Sequence, residues 1–364
     1  MTDSALASRP DGAPEPGAAV PAFRFSTAEA PRSERVAAWR QAIGPLFDMD
    51  ICDLTENRAF AATFTAYHFG GFLLCHSRVD GGRYTRSETR IQSDDLDHLL
   101  IHLVLGGAVV AVRPGAAIGL RAMDIGILDL AAPAALQIRC DEAISLILPR
   151  VAVPAAERQP GSLHGRVLDR RTATGAILAR QMVALTIEAP RLRLPEAVPL
   201  GVAAAGVVAT CLGLATAGVA LPPVSVRRDL GRQVRAYIED HLEAPELTPA
   251  TIMRDLNLSR SQLYRQFEPW GGVRAYIRRR RLWRCLMALS HPVSADRRIG
   301  DIAYEHGFTD LEHFSRLFRQ AFGLSPRAAR AAARRGDASA LAALAPGPED
   351  GGTLARWIRT LAVG

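Results

Sequence analysis

Between about residues 247 and 330 the chain writes the same helix-turn-helix grammar twice, and few folds accept that repetition. The first copy opens at Thr248 and Pro249, a polar cap followed by a proline whose missing N–H costs nothing in a first turn. That helix ends at Asn257, a residue type tolerant of the left-handed backbone that closes helices. Ser259 opens the next helix. With Gln262 it has capping-box spacing, and Leu263 and Phe267 supply a buried stripe. In the second copy Ile299, Ile302 and Ala303 share one helix, Gly307 stands at the turn, Thr309 and Glu312 have capping-box spacing, and Phe314 and Phe318 form the stripe. Residues 276–289 between them read as one helix of roughly 14 residues, about 21 Å long. With the widths of the flanking elements, two recognition helices come to lie about 34 Å apart, one turn of B-DNA. The expected partner is double-stranded DNA, entered at two adjacent major grooves.

Charge is distributed accordingly. All 44 basic residues are Arg. Residues 226–335 carry 21 Arg against 12 acidic residues, a net +9, while the rest carries 23 against 25, a net −2. A genome-wide preference for Arg explains the missing Lys but not this asymmetry, which is the footprint of a nucleic-acid binder.

At an ordered set of residues the chain resembles the DNA-binding domain of AraC/XylS-type transcription regulators. The set is Leu258-Ser-Arg-Ser-Gln-Leu-Tyr-Arg-Gln-Phe267, Arg281-Leu282, Ile302-Ala303, Gly307-Phe308, Phe314-Ser-Arg-Leu-Phe-Arg319 and Phe322-Gly-Leu-Ser-Pro326. Met253, the short connector 268–276 and Ala329 depart from the family pattern. With Leu263 and Phe267 inward, Arg260, Ser261, Tyr264 and Arg265 face outward; with Phe314 and Phe318 inward, so do Glu312, His313 and Arg316. The resemblance places base-reading residues at Ser261, Tyr264, Arg265, Glu312, His313 and Arg316. Each is also the kind of residue found on any solvated helix face. Arg316 stands four residues beyond Glu312, an ion-pair spacing. The run 278–281 offers phosphate contacts, Arg279 foremost, although Arg281 matches a family position that packs between the two halves.

Upstream, a helix is expected from Ser33, with Val36, Trp39 and Ile43 at helical spacing. Residues 60–149 are short apolar runs between turn signals, among them Gly106-Gly107 and Pro114-Gly115, which suggests hairpins in an antiparallel sandwich or barrel. Ser33-Glu-Arg-Val with Trp39, Arg121-Ala-Met-Asp-Ile-Gly-Ile-Leu-Asp129 and Leu148-Pro-Arg150 resemble the cupin-like sensor domain of one AraC subgroup. The resemblance implies a small-molecule effector. His98 and His102 lie four apart, but no third ligand accompanies them, so His102 reads as a core or pocket histidine rather than a metal ligand. It is the effector-binding candidate. Asp94, Asp95 and Asp97 read as a solvated turn. No catalytic grammar, metal set or cofactor motif stands out; a cupin-type metal enzyme fused to a DNA-binding domain is the alternative.

Residues 165–185 turn helical, and 200–219 are apolar, small and uncharged. By length the latter could span a membrane. Its Ala and Gly content, basic residues at both ends and the absence of a signal sequence favour a buried or dimer-forming helix with Ala204 and Ala209 at the association surface. Five scattered cysteines without a CxxC pair point to a reducing, cytoplasmic setting.

The expected architecture is α+β: a disordered tail (1–22), a cupin-like sandwich or barrel (23–155), a helical dimerisation and linker region (156–222) closed by Leu221-Pro-Pro-Val224, a double helix-turn-helix domain (223–335) and an extension (336–364). In that extension Leu354, Trp357, Ile358 and Leu361 share one side of a short helix expected to pack on the protein's own surface. The expected function is an effector-controlled, sequence-specific transcription regulator, a homodimer and by resemblance an activator, with RNA polymerase as a further partner. The residues themselves do not separate activation from repression.

Overall fold

A computed structural model describes residues 19–51, 60–94, 96–113, 116–153, 161–216, 230–290, 294, 296–335 and 353–361. The tail 1–18, Pro114-Gly115 and the linker at 221–224 lie outside them.

Two 16-residue strands, β6 (His98–Arg113) and β9 (Ala134–Pro149), pair antiparallel along their lengths and carry the N-terminal half. Gly106-Gly107 therefore does not turn the chain. It makes register shifts between Val104, Gly106 and Ala108, with Gly107 at φ 84°. A glycine pair that closes a hairpin in isolation bends a strand instead when a long partner runs past both sides of it. Onto this pair are added β1 (Ala22–Ser26), β2 (Asp48–Asp50), β3 (Ala62–His68), β4 (Leu73–Val79), β5 (Gly82–Arg86), β7 (Ala116–Leu120), β8 (Ile125–Asp129) and β10 (Val167–Leu168). The main order is β1-β3-β4-β9-β6-β8-β10, with β2-β5 on β9 and β7 on β6, and the sheet is curled.

Alternation along the strands yields two apolar cores, one on each face. The first holds Trp39 of α1 (Arg35–Ile43), whose indole donates to the Tyr84 hydroxyl at 2.8 Å. The second lies under α3 (Ala173–Glu188) and α4 (Leu194–Thr216). Leu168, expected on a helix, belongs instead to β10. Ala204 is buried in this second core at 3% exposure, so it is not on the association surface anticipated for it. Gly201 permits the close approach of α4: a Cβ there would come within 2.9 Å of the Phe69 carbonyl.

Of the acidic residues read as a solvated turn, Asp95 lies outside the described residues, while Asp94, at the end of α2 (Glu88–Asp94), and Asp97 are paired with arginines. Asp94 pairs with the fully buried Arg86, and Asp97 accepts from Arg150 Nε at 2.6 Å. Arg150 also donates to the buried Asp129, which accepts the Gly161 N–H at 2.7 Å as well. An arginine that is 4% exposed needs such partners, because an unpaired buried charge is costly.

The C-terminal half consists of α5 (Leu230–Asp240), α6 (Pro249–Asp255), α7 (Arg260–Phe267), α8 (Val273–Ser290), α9 (Ile299–Glu305), α10 (Leu311–Phe322) and α11 (Pro326–Arg335). α8 is longer than expected, 18 residues, or about 27 Å. Its first half, with Val273, Tyr276 and Ile277, closes one core; its second, with Leu282, Cys285, Leu286 and Leu289, closes another.

Candidate nucleic-acid interface

The first copy folds as its spacing predicts. Thr248 accepts the Thr251 N–H, Pro249 occupies the first turn, and Asn257 takes φ 52°. The turn is closed by Leu258 N–H donating to Met253 at 2.8 Å, and Ser259 and Gln262 form the reciprocal capping box. Leu263 and Phe267 are fully buried; truncating such a phenylalanine costs about 3 to 5 kcal/mol. Arg260, Ser261 and Arg265 are exposed and Tyr264 is half-buried, its ring 5.2 Å from the Arg260 guanidinium carbon.

In the second copy Gly307 takes φ 79° and Phe308 N–H donates to Ala303 at 3.0 Å. Here the cap differs from expectation. Asp310, not Thr309, accepts the N–H groups of Glu312 and His313, at 2.9 and 3.0 Å. Those two bonds, the His313 one foremost, hold the Asp310 carboxyl below its usual range. The reason is one extra residue between turn and helix. Counted from the caps the copies coincide again: four residues on come Leu263 and Phe314, eight on Phe267 and Phe318, and six on Arg265 and Arg316.

Glu312, His313 and Arg316 are all exposed. Arg316 donates to His313 Nδ1 at 2.9 Å rather than pairing with Glu312. Seven of the expected residues thus lie on the outward faces of their own helices, four on α7 and three on α10.

The four arginines 278–281 do not share a face, since successive helical residues are rotated by about 100°. Arg278 is exposed. Arg280 is 1% exposed and pairs with the buried Glu239 at 2.5 Å. Burial works to raise the Glu239 pKa, but Arg280 and Arg284 outweigh it and hold it below the usual range. Arg281 donates to the carbonyls of Leu242 at 2.9 Å, Ala244 at 2.7 Å and Gly307 at 3.1 Å, joining the two halves. Arg279 is half-buried, and its Nε and Nη2 have no hydrogen-bond partner among the described residues. The Glu239 pairing has no local signal in the sequence, because α5 and α8 are 41 residues apart at that contact.

In the sensor half His102 Nδ1 lies 2.9 Å from Ser145 Oγ, its neighbour across β9. The histidine lines a small, open pocket with Val109, Ile118, Leu120, Leu128 and Leu136. Among the described residues no three His, Cys, Asp or Glu side chains converge on a position that could hold a metal ion.

Residues 252–332 match a family model described as a helix-turn-helix domain, and residues 39–217 match an AraC-binding-like domain. The transcriptional activator NphR of Rhodococcus is 28% identical over 316 residues, 84% of this chain and 92% of NphR. The HTH-type transcriptional activator RhaS of Enterobacter is 39% identical over 100 residues, 27% of this chain and 34% of RhaS. Among solved structures the AraC-like transcriptional activator CuxR superposes with a TM-score of 0.60 at 24% identity, covering 78% of this chain and 99% of CuxR.

Proposed function

We propose, on the premise that this chain belongs to the AraC family of transcriptional regulators, that it lays α7 and α10 in successive major grooves of duplex DNA under control of a small molecule bound by the sensor half. The observation that carries this reading is the coincidence of the two copies when counted from their caps, which puts Arg265 and Arg316 at the same position of their helices. Arginine can bond guanine O6 and N7 together, and Glu312 can accept from cytosine N4. Ser261, Tyr264 and His313 complete the base-facing set, while Arg260 and Arg279 serve phosphates. For Arg279 a phosphate oxygen would satisfy the two nitrogens that have no partner among the described residues.

NphR and RhaS are activators, which supports activation here, with RNA polymerase as the partner at the promoter. Association as a homodimer is supported by α4. Leu200, Val207 and Leu214 are 45%, 37% and 60% exposed, and with Ala203 and Thr210 they repeat as a heptad seam. The effector site is assigned to 23–155, association to 156–222 and DNA binding to 223–335. The setting is the cytoplasm; among the described residues no helix is long and apolar enough to cross a membrane.

The test is selection of duplexes from a randomised pool by the full-length chain. The expected product is a motif with two blocks about one helical turn apart. A selected pool no richer in any sequence than the starting pool would sink the reading.

A further inference from the structure

The helix Thr353–Leu361 begins 18 residues beyond the end of α11, yet its apolar stripe is buried in the other half of the molecule. Leu354, Trp357, Ile358 and Leu361 are at most 3% exposed and belong to the first sensor core. The ladder register shows which face they cover. His68 stands opposite Leu73, Leu73 opposite Ile147, Ile147 opposite Leu100 and Leu100 opposite Leu128, so one row of side chains crosses five strands. Trp357 packs edge-on against His68 at the end of that row, with centroids 5.3 Å apart. The intervening residues Leu74, Leu146, Ile101 and Ile127 point to the opposite core under α3 and α4. The pocket beside His102 opens on the same face as the row, since Leu128 and Leu136 line the one and belong to the core of the other.

Three features distinguish this helix from an ordinary core element. Nine residues are too few to hold a helix alone in water, so its structure depends on docking. It adds no strand to the sheet, so its departure breaks no ladder. And the 17 residues joining it to α11, with Gly336, Pro346-Gly347-Pro348 and Gly351-Gly352 among them, reach at most about 60 Å. When docked, it ties the DNA-binding half to the sensor half at a second point, in addition to residues 217–229.

We propose that Thr353–Leu361 is an intramolecular ligand of the sensor domain, seated on the apolar face that receives the effector, and that the effector is an apolar, aromatic small molecule that displaces it. The proposal rests on the effector-controlled reading above. The ligand class follows from what the helix presents, one indole and three aliphatic side chains with no charged group among them, and from the apolar side chains of the sheet among which it packs. A tether of this length gives a local concentration on the order of 1 mM. A helix that binds in trans at about 100 µM would then occupy the face about ten parts in eleven and weaken a competitor's apparent Kd about tenfold.

The test titrates 1-anilinonaphthalene-8-sulfonate, and separately a fluorescein-labelled peptide of residues 352–364, into the wild-type chain and into full-length Trp357→Ser/Ile358→Ser. The variant is expected to bind both at least tenfold more tightly than wild type, the fluorophore to displace the peptide, and thermal unfolding to stay cooperative. Equal affinities, binding without displacement, or loss of cooperative unfolding overturns the proposal. Hydrogen exchange on the wild type is the second measurement: amides of 353–361 should exchange at least tenfold faster than those of β6 and β9, and equal protection overturns it too. If the selected duplex is still bound while these fail, only the docking proposal falls; if no duplex is bound, the regulator reading falls with it.

Discussion

Burial pushes the His68 and His98 imidazoles down to about 4, and for His98 the nearby Asp97 opposes that shift while Arg150, Arg235 and Arg86 add to it. Neither His98 ring nitrogen has a hydrogen-bond partner among the described residues. Both groups titrate near 6.5 when the chain is unfolded, so between pH 6.5 and 4 the unfolded state binds more protons. Stability therefore falls as pH drops through that window, by about 2 kcal/mol per histidine at pH 5. His98→Gln should remove about half of the combined loss, read as the difference in urea midpoints between pH 7.5 and 5; an unchanged difference would assign the acid sensitivity elsewhere. A second contrast separates reading from holding. Arg265→Ala should cost about 1 to 3 kcal/mol on the selected duplex and relax preference at one position. Arg279→Ala should weaken all duplexes alike and lower the salt slope by about one unit. Equal losses for Arg265→Ala on selected and scrambled duplexes would move that residue to the backbone-contact class.

Among the elements, α4 shows how a sequence reading reaches the right helix and the wrong face. Its charge-free run announces a packed helix, but a stripe of Ala, Gly and Val does not say which side meets the sheet, because small residues suit both close packing and association. The structure resolves this: Ala204 is inside, Val207 is outside. Val207→Glu is expected to shift the protein toward monomer in sedimentation with its unfolding midpoint nearly unchanged. Ala204→Glu should lower that midpoint by burying an unpaired charge. Monomer formation by neither variant would remove α4 from the interface. The recognition helices were legible almost to the residue, since caps and core stripes are local signals. The exception, Asp310 in place of Thr309, arises from a one-residue insertion after the turn. Gly106-Gly107 failed for the opposite reason, because only the partner strand β9 decides between turn and bulge.

For the molecule as a whole, the double motif was readable because each copy carries its own start, turn and stripe. The contacts that join distant segments were not: Glu239 with Arg280, Asp97 with Arg150, and the C-terminal helix with the sheet. Nothing in an amphipathic stripe names the surface it will cover. The domain logic still yields an expectation. Residues 224–335 hold two cores of their own and the excess positive charge, so that fragment should unfold cooperatively and bind DNA with a steep loss of affinity as salt rises. A folded fragment without affinity for any duplex at low salt would contradict it.

The three carbonyls gripped by Arg281 make the two readers a single gauge. A bridge through one guanidinium to Leu242, Ala244 and Gly307, on the 18-residue α8, leaves little play in either angle or distance between α7 and α10. Such a gauge measures phase. One base pair inserted between the two blocks rotates the second by about 34° and moves it about 3.4 Å, away from a helix that cannot follow. Binding should thus depend sharply on spacer length, falling at one added pair and not restored by a full turn, because the gauge is rigid in length as well as in angle. Electrophoretic mobility assays across a spacer series would read this directly, and a flat profile would mean that only one of the two helices is in contact with the bases.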